Sequence, residues 1–259
     1  MNRINEAFSR ARSEHRVCFI PFYEFGYPDI SNFYEIIELL SGYGDIIEVG
    51  IPFSDPVADG PIIQRASDVP IKNGANLDKA FDWLYKFRKK NSITPVVFMI
   101  YYNLIHHRGV REFFSIARDL DLDGVIIPDL PVEESDNVYP YRNGVSVIWL
   151  ASITTGEERL KKIIEKSDSF IYCVSLKGVT GPRDEVSEEG LNLLRRVRTL
   201  SSIPTALGFG LKNPEQIRSL VNITDGVIIG SEIIRIVDES NTEELERYLE
   251  GLKSATIMV

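Results

Sequence analysis

Eight short apolar runs rich in β-branched residues, separated by longer stretches of helical periodicity, constrain this chain more than any other feature. The runs are Val17–Phe22, Asp45–Gly50, Val96–Tyr101, Gly124–Ile127, Val145–Leu150, Phe170–Ser175, Pro204–Gly208 and Gly226–Ile229. Each is nearly continuous in apolar character, the pattern of a strand covered on both faces. Helical spacing fills Ile30–Gly42, Leu77–Lys90, Val110–Leu120, Glu157–Lys166, Glu188–Leu200, Pro214–Val221 and Thr242–Leu252. Strands alternating with helices imply a parallel sheet, and eight such strands close a barrel. The expected fold is therefore α/β: one (β/α)8 TIM barrel over residues 1–259. An extra N-terminal helix is expected within Met1–Arg16, and a short phosphate-binding helix, Glu232–Ile236, after strand eight. The pentapeptide Asp-Gly-Val-Ile-Ile recurs at 123–127 and 225–229. That places a matching run half a barrel apart, although these residue types are common in any buried strand.

Charge and cysteine usage narrow the function. With 29 basic against 38 acidic residues the net charge is −9, a field that repels nucleic acid. Cys18 and Cys173 both sit in apolar runs and read as reduced packing residues rather than a disulfide or a metal site. His15, His106 and His107 are the only histidines, and two of them are adjacent, which suits joint ligation of one metal ion poorly. No metal is expected. No stretch approaches the roughly 20 apolar residues of a membrane span, and the N-terminus lacks the apolar core of a signal peptide. The expected place of work is the cytoplasm.

In such barrels the chemistry sits at the carboxyl ends of the strands, so the polar residues there carry the information. Glu48 lies among Ile46, Ile47, Val49 and Ile51, where desolvation raises a carboxyl pKa toward that of a useful acid or base. The competing reading is a structural carboxylate paired with a Lys or Arg. The proline-stiffened loop Ile51–Pro61 presents Asp55 and Asp59 just beyond it, either as placed carboxylates or as ordinary turn residues. Gly208-Phe-Gly210 and Gly230-Ser231 follow strands seven and eight, where backbone N–H groups and a helix N-terminus make an anion site. Together they point to a phosphate ester substrate. The polar stretch Lys177–Glu185 is long enough for a lid, and equally for a plain surface loop.

These segments together resemble the tryptophan synthase alpha-subunit family over essentially the whole chain. The most specific match is the run Ile47–Pro61 followed by Ile63–Ser67; Ile127–Pro131, Gly178–Gly181, Gly208–Gly210 and Gly230-Ser231 support it. The resemblance implies retro-aldol cleavage of indole-3-glycerol phosphate to indole and glyceraldehyde 3-phosphate. It also implies a beta-subunit partner in an alpha2beta2 heterotetramer, with pyridoxal phosphate on the beta subunit and no cofactor on this chain. Matched position by position, Glu48 is the acid/base and Asp59 the carboxylate that binds the indole N–H. Gly181, Gly210, Gly230 and Ser231 hold the phosphate. Phe22, Met99, Tyr101, Ile127 and Tyr172 line the indole pocket, and Thr180 is the lid residue that closes on Asp59. A stand-alone indole-releasing lyase, or a non-catalytic phosphate-binding barrel that activates a partner, are the alternative functions.

Two segments depart from the family pattern. Tyr23-Glu-Phe-Gly-Tyr-Pro28 stands where small residues and Gly-Asp-Pro are usual, and Leu176-Lys177 where an Arg and a small residue are more frequent. Glu24 is expected to lean out to solvent or to pair with a nearby Lys or Arg. Turned inward instead, it would raise the Glu48 pKa, and Glu24→Thr would shift the acidic limb of the pH–activity profile to lower pH.

Overall fold

The computed structural model describes residues 2–57, 59–175, 187–208 and 210–258. Its strands are β1 (Cys18–Glu24), β2 (Ile47–Gly50), β3 (Val96–Met99), β4 (Gly124–Ile126), β5 (Ser146–Ile148), β6 (Leu150–Ser152), β7 (Ile171–Val174), β8 (Thr205–Gly208) and β9 (Gly226–Ile229). The helices before the midpoint are α1 (Arg3–Ser13), α2 (Ile30–Tyr43), α3 (Pro61–Lys72), α4 (Leu77–Lys90), α5 (Tyr102–Arg108) and α6 (Val110–Asp119). After it come α7 (Glu157–Lys166), α8 (Glu188–Leu200), α9 (Pro214–Leu220), α10 (Ser231–Glu239) and α11 (Thr242–Ala255).

All paired strands run parallel, in the order β5-β4-β3-β2-β1-β9-β8-β7-β6. The two ends of that order are consecutive in sequence, joined only by Trp149, so the sheet closes on itself. The fifth run, expected as one strand, is thus two: β5 pairs with β4 and β6 with β7. A strand of a closed barrel has one neighbour on each edge, offset along its length by the barrel's stagger, and here the two pairings meet at Trp149. Its carbonyl accepts from the Tyr172 N–H at 3.0 Å, and its ring is buried. Counting β5 and β6 together gives the eight strands of the expected TIM barrel.

The N-terminal helix is present and plugs the amino-terminal end of the barrel. Asn2 caps it by accepting from the Asn5 N–H. Ile4 approaches Gly124, and Phe8 packs on Gly226 and on Phe170 at 5.3 Å. Gly124 and Gly226 occupy the same place in the two copies of the repeated pentapeptide, so each copy leaves room for one α1 side chain. The repeat's aspartates also match in role. Asp123 accepts from the Val96 N–H at 2.7 Å and Asp225 from the Thr205 N–H at 3.0 Å, each capping the preceding strand. Asp45 does likewise for Phe19 at 2.9 Å.

Acids at this end are matched by cations. Asp45 receives Arg16 and Lys253, Asp123 receives Arg3 and Arg88, and Asp225 receives Arg12. Breaking a buried pair of this kind leaves an uncompensated charge and costs about 3–5 kcal/mol.

Helix α3 has no counterpart in the sequence reading. Pro61 fills its first position, where a missing N–H costs nothing, and Pro70 in its last turn masks the helical pattern. The short helix after the last strand begins at Ser231, one residue before the expected start, and runs on to Glu239.

Candidate active site

The carboxyl ends of the strands gather a second set of acids, with a different environment. Glu48 lies on β2 with its side chain in the barrel interior and no exposure. Neither of its oxygens accepts a hydrogen bond, so the structural alternative, a carboxylate paired with a cation, does not hold. Burial, with the charge of Asp59 adding, pushes its carboxyl up to about 8.

Asp59 stands two residues before α3, at the end of the proline-stiffened loop. It is buried, and its Oδ2 accepts from the Tyr101 hydroxyl at 2.8 Å. Its carbonyl accepts from the Gln64 side-chain amide at 2.8 Å, which ties the loop's end to the first turns of α3. Desolvation raises its pKa and the Tyr101 hydrogen bond holds it down. Asp55, in the same loop, is exposed and accepts from the Ser54 hydroxyl.

Aromatic rings wall this space by lying over glycines. A Cβ at Gly230 would sit 2.6 Å from the Phe22 ring, and one at Gly50 would sit 2.7 Å from its far edge. The single Phe22 ring therefore spans from β2 to the start of α10. The Tyr172 ring fills the corresponding space over Gly208, and its phenol is pushed well up by burial and then by the charges of Glu48 and Asp59. Tyr101 stacks on Phe53 at 4.9 Å while it donates to Asp59. Met99 ends β3 in register with Gly50 on one side and Ile126 on the other. Ile127 follows at the same rim, buried.

Phe22, Glu48, Asp59, Tyr101 and Tyr172 are thus one cluster. Gly230 caps α10, whose first residue is Ser231, against that cluster. Gly210 adopts φ +90°, a backbone that presents its N–H where a substituted residue would be strained. Gly181 and Thr180, and with them the Leu176-Lys177 departure and the expected lid, lie outside the described residues.

Glu24 corrects the expectation made for it. Strand β1 extends two residues beyond the predicted end, in register with β2 so that Phe22 faces Glu48 and Glu24 faces Gly50. Glu24 is 2% exposed, its Oε1 accepts from the Ser67 hydroxyl at 2.6 Å, and its other oxygen lies against Gly50. It does not reach solvent, and among the described residues it meets no cation. The alternation of Phe22 and Glu24 on one face of the strand is the signal that would have found it. Ser67, on the unrecognised helix α3, had none.

Among the described residues no cluster of three or more His, Cys, Asp or Glu has metal-binding geometry, and no helix is long and apolar enough to cross a membrane.

A sequence profile described as tryptophan synthase alpha chain matches residues 8–256. The tryptophan synthase alpha chain of Methanocaldococcus jannaschii is 41% identical over 239 residues, covering 92% of this chain and 85% of the relative. The fold matches the tryptophan synthase alpha subunit of Legionella pneumophila with a TM-score of 0.89 at 30% identity, over 99% of this chain and 98% of that one. It matches a chain of the tryptophan synthase a2b2 complex of Pyrococcus furiosus with a TM-score of 0.86 at 36% identity, over 93% and 99%.

Proposed function

The chain belongs to the tryptophan synthase alpha chain family, and from that premise we infer that it is a carbon–carbon lyase of tryptophan biosynthesis. It cleaves indole-3-glycerol phosphate to indole and glyceraldehyde 3-phosphate as the alpha subunit of the synthase.

The observation that carries this reading is the pair of buried carboxyl groups Glu48 and Asp59 at the carboxyl end of the barrel, with no cation beside them among the described residues. Retro-aldol cleavage moves one proton from the glycerol hydroxyl beside the ring to ring carbon C3. A carboxyl whose pKa is near 8 starts protonated at neutral pH and delivers its proton to C3. The ring is then an indoleninium cation, its N–H on the Asp59 carboxylate. The Tyr101 hydrogen bond favours the charged form of Asp59 against the effect of burial, and a fixed anion in a dry site stabilises such a cation far better than water would. Glu48, now ionised, takes the hydroxyl proton, the C–C bond breaks, and its electron pair returns to the ring. Two carboxyl groups in different surroundings, Glu48 without a hydrogen-bond partner among the described residues and Asp59 hydrogen-bonded to Tyr101, divide the acid and electrostatic roles.

Gly210, Gly230 and Ser231, with Gly181, are the proposed phosphate site, supported by the N-terminus of α10 and its dipole. Phe22, Met99, Tyr101, Ile127 and Tyr172 line the indole pocket. Thr180 closes on Asp59 in this reading. The chain itself uses no cofactor. A pyridoxal-phosphate-bearing beta subunit is the partner, in an alpha2beta2 heterotetramer, with the whole working in the cytoplasm as a single-domain alpha chain. Val57, 77% exposed and two residues from Asp59, supports placing the partner over the catalytic loop.

Steady-state indole release from indole-3-glycerol phosphate, with and without a beta subunit, tests the reading. Release that rises strongly on adding the partner supports it. Equal release in both cases would instead identify a stand-alone lyase, and none in either would remove the activity.

A further inference from the structure

Glu24 is a fully buried acid that the reaction as derived does not use. An unpaired ionised carboxylate in such a place is strongly disfavoured. At the other end of this barrel Asp45 and Asp123, also buried, are met by three and by two basic side chains. Among the described residues, the groups that face Glu24 supply none. From β2 it meets Gly50, with Glu48 one layer below on the same strand face. From the loop before α3 it feels Asp59, and from α3 it receives the neutral Ser67 hydroxyl. Tyr23, its neighbour on β1, feels its charge in turn. Of the charged residues of α3, Arg65 is turned to Asp238, and Asp68 and Lys72 are exposed.

The position of Glu24 relative to the phosphate site is fixed by one ring. Both Glu24 and Phe22 press on Gly50, and the other side of Phe22 presses on Gly230, the residue that caps α10. One phenyl ring therefore separates the carboxyl from the helix N-terminus. That ring contributes no screening water, so charge on Glu24 is felt at the N-terminus of α10 with an effective dielectric far below that of water.

We propose that Glu24 is a third carboxyl group of the catalytic chamber and a specificity-determining acid, which must hold its proton for the anionic phosphate ester to bind. Protonated, it leaves Asp59 as the one negative charge facing the ring and leaves the N-terminus of α10 free to receive the phosphate. Ionised, it opposes both the phosphate dianion and the charge on Asp59. Burial pushes its carboxyl up to about 8, against the lowering effect of the Ser67 hydrogen bond. The transition therefore lies above neutral pH, where the substrate phosphate is already a dianion and its own charge no longer changes.

The proposal rests on the phosphate-ester reading, and the test separates the two. The dissociation constant of a non-cleavable indolylalkyl phosphate is measured from pH 6.5 to pH 9 for the wild type, Glu24→Gln and Ser67→Ala. In the wild type binding weakens as pH rises through about 8. In Glu24→Gln the part of that weakening due to Glu24 is absent, so the affinity ratio of variant to wild type grows by up to about tenfold one pH unit above the transition. What weakening remains belongs to Glu48. Ser67→Ala removes a hydrogen bond that favours the charged form, so its weakening moves to higher pH. It gives an independent answer if Glu24→Gln fails to fold.

Parallel profiles for all three proteins, or an affinity change equal at every pH, would overturn the role of Glu24 while leaving the phosphate-ester reading intact. Failure of the analogue to bind the wild type at any pH would overturn that reading itself.

Discussion

Replacing Tyr101 with Phe removes one hydroxyl and little else. The Tyr101 ring stacks on Phe53 at 4.9 Å, and Phe keeps that contact. What is lost is the hydrogen bond donated to Asp59 Oδ2 at 2.8 Å. A hydrogen bond to a charged group contributes about 1.5–3 kcal/mol. If Asp59 carries its charge in the transition state, kcat/KM should fall about ten- to a hundredfold. The pH dependence gives the sharper test. Because the Tyr101 bond lowers the Asp59 pKa, its loss raises that pKa, and Asp59 must be ionised to hold the indoleninium cation. The acidic limb of the profile should therefore move to higher pH. The alkaline limb, where Glu48 and Glu24 lose their protons near pH 8, should stay. Indole release from indole-3-glycerol phosphate, followed from pH 5 to pH 9 in both proteins, supplies the two limbs. An acidic limb that stays fixed or moves to lower pH would refute the link between Tyr101 and the charge on Asp59.

Other consequences follow from the same geometry. Asp59→Asn should lose about 3–4 kcal/mol of transition-state stabilisation, and crystals soaked with substrate should trap it uncleaved; prompt appearance of indole would count against the assignment. Glu48→Gln should be more stable than the wild type at pH 8 and above. The folded pKa of Glu48, about 8, exceeds its unfolded value, so the wild-type residue's favourable contribution is complete below the unfolded pKa and is lost as pH rises through the folded one. Thermal melts should show a gap that widens from pH 5 to about pH 8 and levels off above it, and a gap independent of pH would contradict the burial argument. A Cβ at Gly208 would collide with the Tyr172 ring, so Gly208→Ala should cost about 1–3 kcal/mol of stability by overpacking, and an unchanged denaturation midpoint would show that the ring moves freely. Hydrogen exchange in residues 52–59 and 103–108 should slow when a beta subunit binds, and unchanged exchange in both segments would remove the catalytic face from the interface.

Apolar runs and helical spacing identify the barrel because both faces of each strand and one face of each helix must be covered, and that demand leaves a periodic trace. Trp149 leaves none, because nothing in the local sequence records that the pairing to one neighbour ends there and the pairing to the other begins. Helix α3 was hidden by its two prolines, one harmless at the start and one in the last turn. In the site, Glu48 was legible as an acid inside an apolar strand, and Asp59 through the motif around it. The hydroxyl of Tyr101 reaches Asp59 across 42 positions, and that of Ser67 reaches Glu24 across 43. Such pairings exist only once the barrel closes. Glu24 itself was misread because an acid in a departing segment was given the surface role that acids usually have. Its strand continued two residues further than the apolar run, and so carried it inside.

The central claim is that Glu48 moves the proton between the glycerol hydroxyl and the ring. Glu48→Gln keeps the shape and hydrogen-bonding capacity of the side chain and removes only its ability to exchange a proton. Single-turnover cleavage of indole-3-glycerol phosphate by this variant, with binding of a non-cleavable analogue measured alongside, tests the claim directly. General acid–base catalysis contributes about a hundred- to ten-thousandfold, so the account predicts a loss of that order with analogue binding retained. A variant that binds the analogue and keeps more than about a tenth of the wild-type cleavage rate would contradict it.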